Sequence, residues 1–458
     1  MADTFDVIVI GAGTGGYSAA LRAAQLGKRV AIVERDDRLG GTCLLRGCIP
    51  TKALLQSAAV MDSIARSEEW GIKASGEPNW PAVQDFQGKV VDKLVSGLTS
   101  LIKARKIEVV KGTGKLAAPG AVEVDGRRLE ASNVVVATGS QPKLLPGLEI
   151  TERIITSDQA LGLDRIPASA VVIGAGAVGL EFASLYRSFG AEVTLVEALD
   201  VLAPLEDQDI SKEVARTFRK RGIAAHAGAK VQDVKESGKG VTVTFDVGGK
   251  TETAEAEICL VAVGRGPVTD GAGLEEAGVQ LDRGYVKVDG QLQASAKGVW
   301  AVGDACTSPF QLAHVSMAEG VAVAERIAGQ DVAELDYAGV PRVTFSTPEI
   351  SSVGLTEAQA KERGHDVTVE KFNMQGLGKA NIVGESGMCK VVAAKDGPVL
   401  GVHLIGPHVT DLVAEAMLIT NWEAMPAEVA TLIHPHPTLS EAIGEAHLAL
   451  AGKPLHTL

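Results

Sequence analysis

The chain has 458 residues, more than one ordinary hydrophobic core accommodates, so two to four domains of about 100–200 residues are expected. Its hydrophobic fraction of 46% and charged fraction of 22% are typical of a folded globular protein and not of a disordered one. The net charge of −13 disfavours binding to nucleic acids or to anionic membranes, because both surfaces are polyanionic.

The first predicted strand contains the apolar run Val7 to Ile10 and then breaks at glycine. This run is too short for a signal peptide, and no later segment reaches the roughly 18 uninterrupted apolar residues of a membrane-spanning helix. We therefore expect a cytoplasmic protein. In that compartment a close cysteine pair is more often catalytic or metal-binding than structural.

An internal repeat covers this strand and the elements that follow it. Residues 5–34 align with residues 168–197 at a constant offset of 163. Each copy reads as a buried strand, a glycine-rich turn, an amphipathic helix ended by glycine, and a second strand ending in glutamate, which predicts two βαβ units. The aligned pairs are Gly11 and Gly174, Gly13 and Gly176, Gly16 and Gly179, Gly27 and Gly190, and Glu34 and Glu197.

The regions outside the repeat contain further predicted elements. Between the copies we predict a helix from Val83 to Lys106 and a strand from Asn133 to Ala137. After the second copy, the strands VTVTFDV and EICLVAVGRGP are followed by a short strand near Val299. The last part of the chain mixes strands such as MCKVVAA with helices and has no nucleotide fingerprint, which indicates a separate α+β domain.

The two glycine-rich turns are typical of dinucleotide sites. The first glycine permits the tight turn, the second lets the backbone approach a pyrophosphate, and the third lets helix and strand pack closely. The anion then lies at the helix N-terminus. Glu34 and Glu197 are placed to accept hydrogen bonds from ribose hydroxyls and would repel a 2′-phosphate. The sequence therefore predicts FAD and NAD, one flavin beside one nicotinamide, and disfavours NADP.

Cys43 and Cys48 lie in the stretch GGTCLLRGCIPTK and allow three interpretations: a structural disulfide, part of a metal site, or a redox couple. No second Cys or His pair has matching spacing, which disfavours a metal. A disulfide closing so short a loop would constrain little unfolded-chain entropy. A redox couple fits better. Pro50 marks a helix start. The helix dipole therefore favours a thiolate at Cys48, which would interact with a flavin. Cys43 is then the residue expected to exchange with a disulfide from outside the protein.

Two further pairs are candidates for catalysis. Lys52, in the first helical turn, is either a solvated lysine or a buried ammonium near the flavin, with Glu181 as its carboxylate partner. His436 is followed five residues later by Glu441, a spacing that lets the carboxylate reach imidazole Nδ1 once the chain turns into a helix. From the residues alone, a satisfied loop histidine and an acid–base pair are about equally compatible with this spacing.

The chain resembles the flavoprotein disulfide reductases, or class I pyridine nucleotide-disulfide oxidoreductases, over nearly its whole length. The motifs that carry the resemblance are GAGTGG, GGTCLLRGCIPTK, ATGS, GAGAVGLE, VGRGP, WAVGDA, LAHVSMAEG, PEISSVGLTE and HPHPTLSEA. The chain is most similar to members that oxidise protein-bound dihydrolipoamide and reduce NAD⁺. The resemblance therefore implies an oxidoreductase with FAD and NAD that forms a homodimer, and its implied partners are the lipoyl domains and E2 core of 2-oxo-acid dehydrogenase complexes.

The same resemblance implies which residues form the site. The FAD group is Gly11, Gly13, Gly16, Glu34, Thr42, Lys52, Gly114, Thr138, Gly139, Ser140, Asp304, Leu312, Ala313 and His314. The NAD group is Gly174, Gly176, Gly179, Glu181, Glu197, Val231 and Gly264. The catalytic group is Cys43, Cys48, Lys52, Glu181, His436 and Glu441, with no metal. His436 and Glu441 would act on the cysteines of the other subunit, and His434 is the less favoured base.

The implied fold is α/β, with two Rossmann-like domains and a C-terminal α+β dimerisation domain. Its ranges are 1–148 for FAD, 149–267 for NAD, 268–337 for a central segment returning to the FAD domain, and 338–458 for dimerisation. Arg46, between the cysteines, departs from the family pattern, and its effect stays open. Two alternatives remain: a glutathione-reductase-like flavin disulfide reductase, which Ala177 and Glu197 disfavour, and a non-catalytic assembly or thiol-sensing subunit.

Overall fold

Strands and helices alternate in the two βαβ units of the computed structural model, which describes residues 3–456. The strands, numbered in chain order, are β1 (Asp3–Ile10), β2 (Val30–Glu34), β3 (Glu108–Lys111), β4 (Gly114–Ala118), β5 (Ala121–Val124), β6 (Arg127–Val136), β7 (Ser140–Pro142), β8 (Ile154–Ile155), β9 (Ser169–Ile173), β10 (Glu192–Val196), β11 (Ala224–His226), β12 (Ala229–Ser237), β13 (Gly240–Val247), β14 (Lys250–Ala256), β15 (Ile258–Val261), β16 (Arg265–Pro267), β17 (Leu281–Asp282), β18 (Tyr285–Val286), β19 (Val299–Ala301), β20 (Arg342–Thr344), β21 (Glu349–Gly354), β22 (Val367–Asn373), β23 (Met388–Ala394) and β24 (Val399–Gly406). The helices are α1 (Thr14–Gln25), α2 (Gly41–Arg46), α3 (Cys48–Ala65), α4 (Trp80–Ala104), α5 (Ser157–Ala160), α6 (Ala177–Ser188), α7 (Gln208–Lys220), α8 (Ala313–Ile327), α9 (Glu357–Glu362), α10 (Gly378–Val383), α11 (Val409–Asn421), α12 (Pro426–Val429) and α13 (Glu441–Leu450).

The elements predicted outside the repeat are present. The predicted helix from Val83 to Lys106 is α4, and the predicted strands at 133–137, 241–247 and 388–394 correspond to β6, β13 and β23. None of the helices within residues 3–456 is long and apolar enough to cross a membrane.

The first βαβ unit is formed by β1, α1 and β2. Strand β1 runs parallel to both β2 and β6, and β3 and β19 extend the parallel part of the sheet on its two sides. The hairpin strands β5 and β4 continue from β6 in antiparallel pairing. The Val- and Ile-rich sequences of β1 and β2 suit strands that are buried on both faces.

Side chains alternate along β1 and fill the apolar clusters on both faces of this sheet. Val7 and Val9 pack with Ala20 of α1, whereas Ile8 and Ile10 belong to a second cluster. The turn between β1 and α1 is therefore held by two well-packed elements at the carboxyl end of a parallel sheet, where α/β proteins place their ligands.

Helix α8 lies against α1 at very short range. A Cβ atom on Gly320 would lie 2.3 Å from the carbonyl oxygen of Gly15, so only glycine fits at this crossing. Arg22 and Glu325 form an ion pair of 2.6 Å between the same helices. This packing fixes α8 beside the first glycine-rich turn.

The second βαβ unit is formed by β9, α6 and β10. Its sheet has the order β11-β10-β9-β15-β8, and every pairing in it is parallel. The antiparallel sheet β12-β13-β14 follows, in which β13 alternates Val and Phe with Thr. Both glycine-rich turns of the repeat thus occupy the same place in a parallel sheet.

The C-terminal part of the chain forms an antiparallel sheet with the order β20-β21-β24-β23-β22. Helices α11 and α13 supply Val413, Ala416 and Ile443 to its apolar core. This arrangement and the two parallel sheets confirm the predicted α/β fold with a C-terminal α+β domain.

A buried lysine connects the C-terminal sheet to the start of α7 through ion pairs. The ammonium of Lys390 on β23 lies 2.8 Å from a carboxylate oxygen of each of Asp207, Asp209 and Glu357. Burial alone would raise the pKa of Asp209, but hydrogen bonding and charge from Lys390 dominate and lower it to about 2. A cation and three acids therefore form one compact network here.

The described residues divide into two compact units. One holds the residues up to Ala53 together with Ala82–Lys143 and Gly264–Leu335; the other holds Leu54–Pro81, Leu144–Val263 and the residues from Asp336 onward. The central segment therefore belongs to the unit of the first βαβ repeat. The domain boundaries drawn from the resemblance stay a prediction.

Candidate active site

The first glycine-rich turn forms a cradle that side chains would fill. Gly11 has φ of 104°, and a Cβ atom there would lie 2.3 Å from the carbonyl oxygen of Ala137. A Cβ on Gly16 would lie 1.9 Å from the carbonyl oxygen of Gly11. Among residues 3–456, a Cβ on Gly13, just before α1, would meet one atom within 4 Å, at 4.0 Å. The first and third glycines thus serve the packing of the turn, and the second keeps the helix N-terminus open.

The second turn repeats this geometry. Gly174 also has φ of 104°, and a Cβ there would lie 2.4 Å from a carbonyl oxygen, while a Cβ on Gly179 would lie 1.8 Å from one. A Cβ on Gly176 would meet no atom within 4 Å among the described residues. The open middle position therefore occurs in both copies.

The glutamates that end β2 and follow β10 are buried against the turns. Glu34 Oε2 accepts a hydrogen bond of 2.7 Å from the N–H of Ala12, and Glu197 Oε2 accepts one of 2.6 Å from the N–H of Ala175. Each carboxylate therefore has a fixed orientation at the end of its turn. The remaining lone pairs of these oxygens suit the ribose hydroxyls of a nucleotide.

Two other residues of the predicted NAD group come from outside the repeat. Val231 is half-buried on β12, in the same unit as the turn. Gly264 has φ of 106° and begins the last segment of the other unit. Their proposed roles stay predictions.

Cys43 lies within α2, and Cys48 is the first residue of α3. Helix α3 begins two residues before the predicted start at Pro50, because a proline is tolerated anywhere in a first turn, where N–H groups have no intrahelical acceptor. The two thiols are hydrogen-bonded to each other. This bond, followed by burial and the charge of Cys48, raises the pKa of Cys43, and the charge of Lys52 opposes the rise. The proton shared by the pair is therefore held on Cys43.

Tyr17 is a neighbour of the cysteine pair that the sequence analysis did not identify. Burial raises the pKa of Tyr17 to about 12, and the charges of Cys43 and Cys48 add to this shift. Its position in the first turn of α1, after the third glycine, is the signal that could have indicated it. Tyr17 keeps a neutral phenol beside the thiols.

Asp304 and Ser140, both in the predicted FAD group, are in direct contact. The Ser140 hydroxyl donates a 2.5 Å hydrogen bond to Asp304 Oδ2 and accepts one of 2.7 Å from Nε of Arg265. Burial raises the pKa of Asp304, and the Ser140 hydrogen bond and the charge of Arg265 reduce that rise. Arg265 is absent from the predicted groups, although it directly follows Gly264 in the VGRGP motif.

The remaining residues of the predicted FAD group lie in the same unit as Ser140 and Asp304. Thr138 Oγ1 is buried and has no hydrogen-bond partner among residues 3–456. Gly139 has φ of 73°, and Gly114 begins β4 beside Val33. Thr42 lies in α2, and Leu312 to His314 form the start of α8. A buried hydroxyl without a partner indicates a polar ligand at this position.

These observations fit an FAD site. The cradle of Gly11, Gly13 and Gly16 leaves room at a helix N-terminus for a pyrophosphate, and Glu34 is oriented for the ribose. The orphaned hydroxyl of Thr138 offers a further polar contact. The first turn of α8 adds N–H groups that point out of the helix start.

His436 and Glu441 form the pair that the spacing suggested. His436 Nδ1 lies 2.8 Å from Glu441 Oε1, and Glu441 Oε2 accepts a hydrogen bond of 2.8 Å from the N–H of Thr438. Burial alone would raise the pKa of Glu441, but these two hydrogen bonds outweigh burial and lower it. The imidazole itself is 74% exposed in the single chain, so Nε2 is available to a reactant.

His434 is held differently. Its Nε2 lies 2.7 Å from Glu415 Oε1, and its side chain is only 12% exposed. The hydrogen bond with Glu415 raises the pKa of His434. Nε2 of His434 is occupied by its contact with Glu415 and is not open to a reactant. This supports the preference for His436 as the base.

Lys52 and Glu181 lie in different units. Lys52 is half-buried in α3, where its charge acts on Cys43. Glu181 is buried on α6, and its Oε1 accepts a 3.0 Å hydrogen bond from the N–H of Phe345. The pairing of these two residues stays a prediction.

Comparison with known protein families shows to which family the chain belongs. Residues 5–320 match the model of the pyridine nucleotide-disulphide oxidoreductases, and residues 340–447 match the dimerisation domain of the same family. The chain belongs to the pyridine nucleotide-disulphide oxidoreductase family. This membership confirms the oxidoreductase activity and the cofactors FAD and NAD, and the dimerisation domain indicates a homodimer.

Individual oxidoreductases of this family are similar over their whole length. A dihydrolipoyl dehydrogenase of Bacillus subtilis is 42% identical, with 100% of both chains covered. A dihydrolipoyl dehydrogenase of Thermus scotoductus is 40% identical, with 99% of both chains covered. The crystal structure of LpdA from Mycobacterium tuberculosis superposes with a TM-score of 0.89 at 28% identity, covering 97% of this chain and 99% of that one. The resemblance found in the motifs thus extends to the full chain.

Proposed function

We propose that the protein is a dihydrolipoyl dehydrogenase, which oxidises protein-bound dihydrolipoamide to lipoamide and reduces NAD⁺ to NADH. The observation that carries the proposal is the pair of hydrogen-bonded thiols, Cys43 and Cys48, beside a glycine-rich nucleotide turn. Full-length identity of about 40% to dihydrolipoyl dehydrogenases supports dihydrolipoamide over other thiol and disulfide substrates.

The thiol chemistry divides the work between the two cysteines. A substrate thiolate attacks Sγ of Cys43 in the Cys43–Cys48 disulfide, so that a mixed disulfide forms and Cys48 leaves as a thiolate. The second substrate thiolate then attacks the substrate sulfur of the mixed disulfide, which closes lipoamide and releases Cys43. The pKa of Cys43, raised by Cys48 and by burial, supports this division, because the proton stays on Cys43 and the negative charge on Cys48.

His436 of the partner subunit would accept the proton of the first attacking thiol, and the proton of the second would end on Cys43 as that thiol is released. Its bond to Glu441 places the ring proton on Nδ1 and leaves Nε2 as the acceptor. The exposure of this imidazole in the single chain agrees with a site completed only in the homodimer.

FAD, when bound, supplies the chemistry that passes the electron pair from the dithiol to NAD⁺ as hydride. Gly11, Gly13 and Gly16 would hold its pyrophosphate and Glu34 its ribose. Thr42, Lys52, Gly114, Thr138, Gly139 and Ser140 would line the rest, with Asp304 at the ribityl chain and Leu312, Ala313 and His314 at the pyrimidine. Gly174, Gly176, Gly179, Glu181 and Glu197 of the second copy, together with Val231, would form the NAD site.

The partners of the enzyme follow from its substrate. Lipoyl domains would present dihydrolipoamide, and the E2 core of a 2-oxo-acid dehydrogenase complex would carry those domains. We also propose a cytoplasmic location, because the cysteine pair needs a reducing compartment to stay exchangeable.

The proposal is tested by NADH formation from dihydrolipoamide with the purified dimer and its Cys48→Ser variant. We expect activity in the wild type, its loss in the variant, and little activity with glutathione disulfide and NADPH. Full activity of the variant would refute the scheme. Titration with dithionite should give a long-wavelength thiolate-to-flavin band at two-electron reduction, and a missing band would favour an assembly or thiol-sensing subunit.

A mixed dimer tests the sharing of the site. Cys43→Ser and His436→Gln subunits are each inactive as homodimers, but a heterodimer of the two contains one complete site. Statistical mixing should therefore restore about a quarter of the wild-type activity. No recovery in verified heterodimers would place His436 and Cys43 of one site in the same subunit.

A further inference from the structure

Arg46 is the residue between the cysteines to which the proposed function gives no role. It ends α2, a helix of six residues with glycines, Gly40 and Gly47, at its two ends and no side-chain cap at its start. An isolated helix this short is unstable in water. The position of α2, and with it the position of Cys43, therefore depends on contacts with the rest of the unit.

Three side chains anchor α2 in the unit. Leu44 is buried in the apolar cluster under the sheet, and the half-buried Leu45 packs against the same cluster. At the end of the helix, the guanidinium of Arg46 forms an ion pair with the carboxylate of Asp36, with side chains 34% and 25% exposed. A cation at the last residue also suits the negative end of the helix dipole. Arg46 is thus the polar anchor of a helix whose apolar contacts come from two leucines.

Asp36 connects this anchor to the nucleotide turn. Its N–H donates a 2.8 Å hydrogen bond to Glu34 Oε1, and Glu34 Oε2 accepts the 2.7 Å bond from Ala12 in the turn. An unbroken series of polar contacts therefore runs from the cysteine-bearing helix to the adenosine end of the nucleotide site.

Comparison with the second copy of the repeat shows which contact of this series distinguishes the first copy. At the offset of 163, Asp36 corresponds to Leu199, and the N–H of Leu199 donates the equivalent 2.8 Å bond to Glu197. The backbone contact is common to both copies, but the Leu199 side chain is 56% exposed and apolar. The carboxylate that receives Arg46 belongs to the first copy, which is the copy followed by the cysteine helix.

We propose that Arg46 is a positioning residue that, through Asp36, couples the cysteine helix α2 to the adenosine end of the FAD site. The inference rests on the proposed function for the roles of FAD and the cysteines. Loss of the pair should loosen both ends of the series: FAD should leave faster, and the geometry between thiolate and flavin should become less uniform.

The experiment uses the FAD-loaded dimer with Arg46→Met, Asp36→Asn and the double variant. The release rate of FAD is followed by its fluorescence in potassium bromide, and the thiolate-to-flavin band is recorded at two-electron reduction. We expect each single variant to release FAD about 3- to 5-fold faster and to show a weaker band, with no further change in the double variant. Arg46→Lys, which keeps the charge, should restore part of both properties.

Arg38→Met is the matched control. Arg38 lies in the same loop and pairs with Asp92 at 2.6 Å, a contact that does not involve α2. Its loss should change neither readout. Unchanged release and an unchanged band in Arg46→Met, or additive effects in the double variant, would overturn the inference. The wild-type protein reports separately on the proposed function: failure to bind FAD or to oxidise dihydrolipoamide would refute that function, whereas the ratio of variant to wild type tests Arg46.

Discussion

Replacing Glu441 by glutamine tests the acid–base pair most directly, because the variant removes one charge and preserves the shape of the side chain. Glu441 holds two donors at 2.8 Å each, the His436 ring and the N–H of Thr438. The two donors bond different oxygens, and glutamine would present its NH₂ group to one of them, so it cannot keep both contacts in this geometry. We expect the imidazole to lose its fixed tautomer and the charge that stabilises its protonated form.

The size of the effect follows from the exposure of the pair. His436 is 74% exposed in the single chain, where the attraction between its imidazolium and the carboxylate is screened to about 1 kcal/mol, the value for charges near water and the minimum for the dimer, in which the partner subunit would cover the imidazole. The oriented hydrogen bond contributes about 1 kcal/mol more. A combined loss of about 1–2 kcal/mol corresponds to about a 5- to 30-fold lower kcat.

The assay is NADH formation from dihydrolipoamide at saturating NAD⁺, with Glu415→Gln as the control. Glu415 holds His434 at 2.7 Å, so this variant makes the same chemical change at the neighbouring histidine. Its kcat should stay within about twofold of the wild type. A loss in Glu415→Gln equal to that in Glu441→Gln would refute the choice of His436 as the base.

Three further predictions concern the second copy and the Lys390 network. Gly179→Ala should lower the melting temperature, because its Cβ would lie 1.8 Å from a backbone oxygen, whereas Gly176→Ala should melt normally but raise KM for NAD⁺ where the nucleotide approaches. Glu197→Ala should weaken NAD⁺ binding about 5- to 30-fold by calorimetry. Lys390→Met should destabilise the fold by about 3–5 kcal/mol at neutral pH in urea unfolding. This deficit should shrink as pH falls from about 4 towards 2. The pKa of Asp209 is lowered to about 2 in the folded protein, below its value in the unfolded chain. The charge pairing therefore stabilises the wild type fully above the unfolded-state pKa, and this stabilisation is lost as the pH falls through the folded-state pKa.

Each of these predictions has an outcome that contradicts it. Equal melting temperatures for the two glycine variants would mean that the turn relaxes around the added methyl group. Unchanged NAD⁺ affinity in Glu197→Ala would remove the ribose role of that glutamate. A deficit in Lys390→Met that is constant with pH would show that the methionine variant loses packing and not charge pairing.

The sequence predicted the parts of the site whose contacts are short-range or repeated. The turns at Gly11 and Gly174 and the acids Glu34 and Glu197 follow from spacing, because strand, turn and helix leave the backbone few alternatives. His436 and Glu441 are five residues apart, so their pairing was within reach of the same reasoning.

Other contacts could not be predicted because they join distant segments. Ser140 and Asp304 are 164 residues apart, and Arg265 reaches Ser140 across 125 residues. Nothing in the local pattern selects these partners. Arg46 is closer to Asp36, but two acids, Asp36 and Asp37, follow one another there, and only the fold decides which of them faces the helix.

The two copies of the repeat also bear on how long each site keeps its ligand. In the first copy, the carboxylate of Asp36, two residues after the glutamate, is paired with Arg46 of the cysteine helix. In the second copy, the exposed Leu199 stands at the equivalent position, two residues after the glutamate. A prosthetic group must survive many turnovers, whereas a cosubstrate must depart in every one. If Arg46 couples the cysteine helix to the FAD site as proposed, one duplicated unit serves both a long and a short residence time, and the difference lies two residues after its acid.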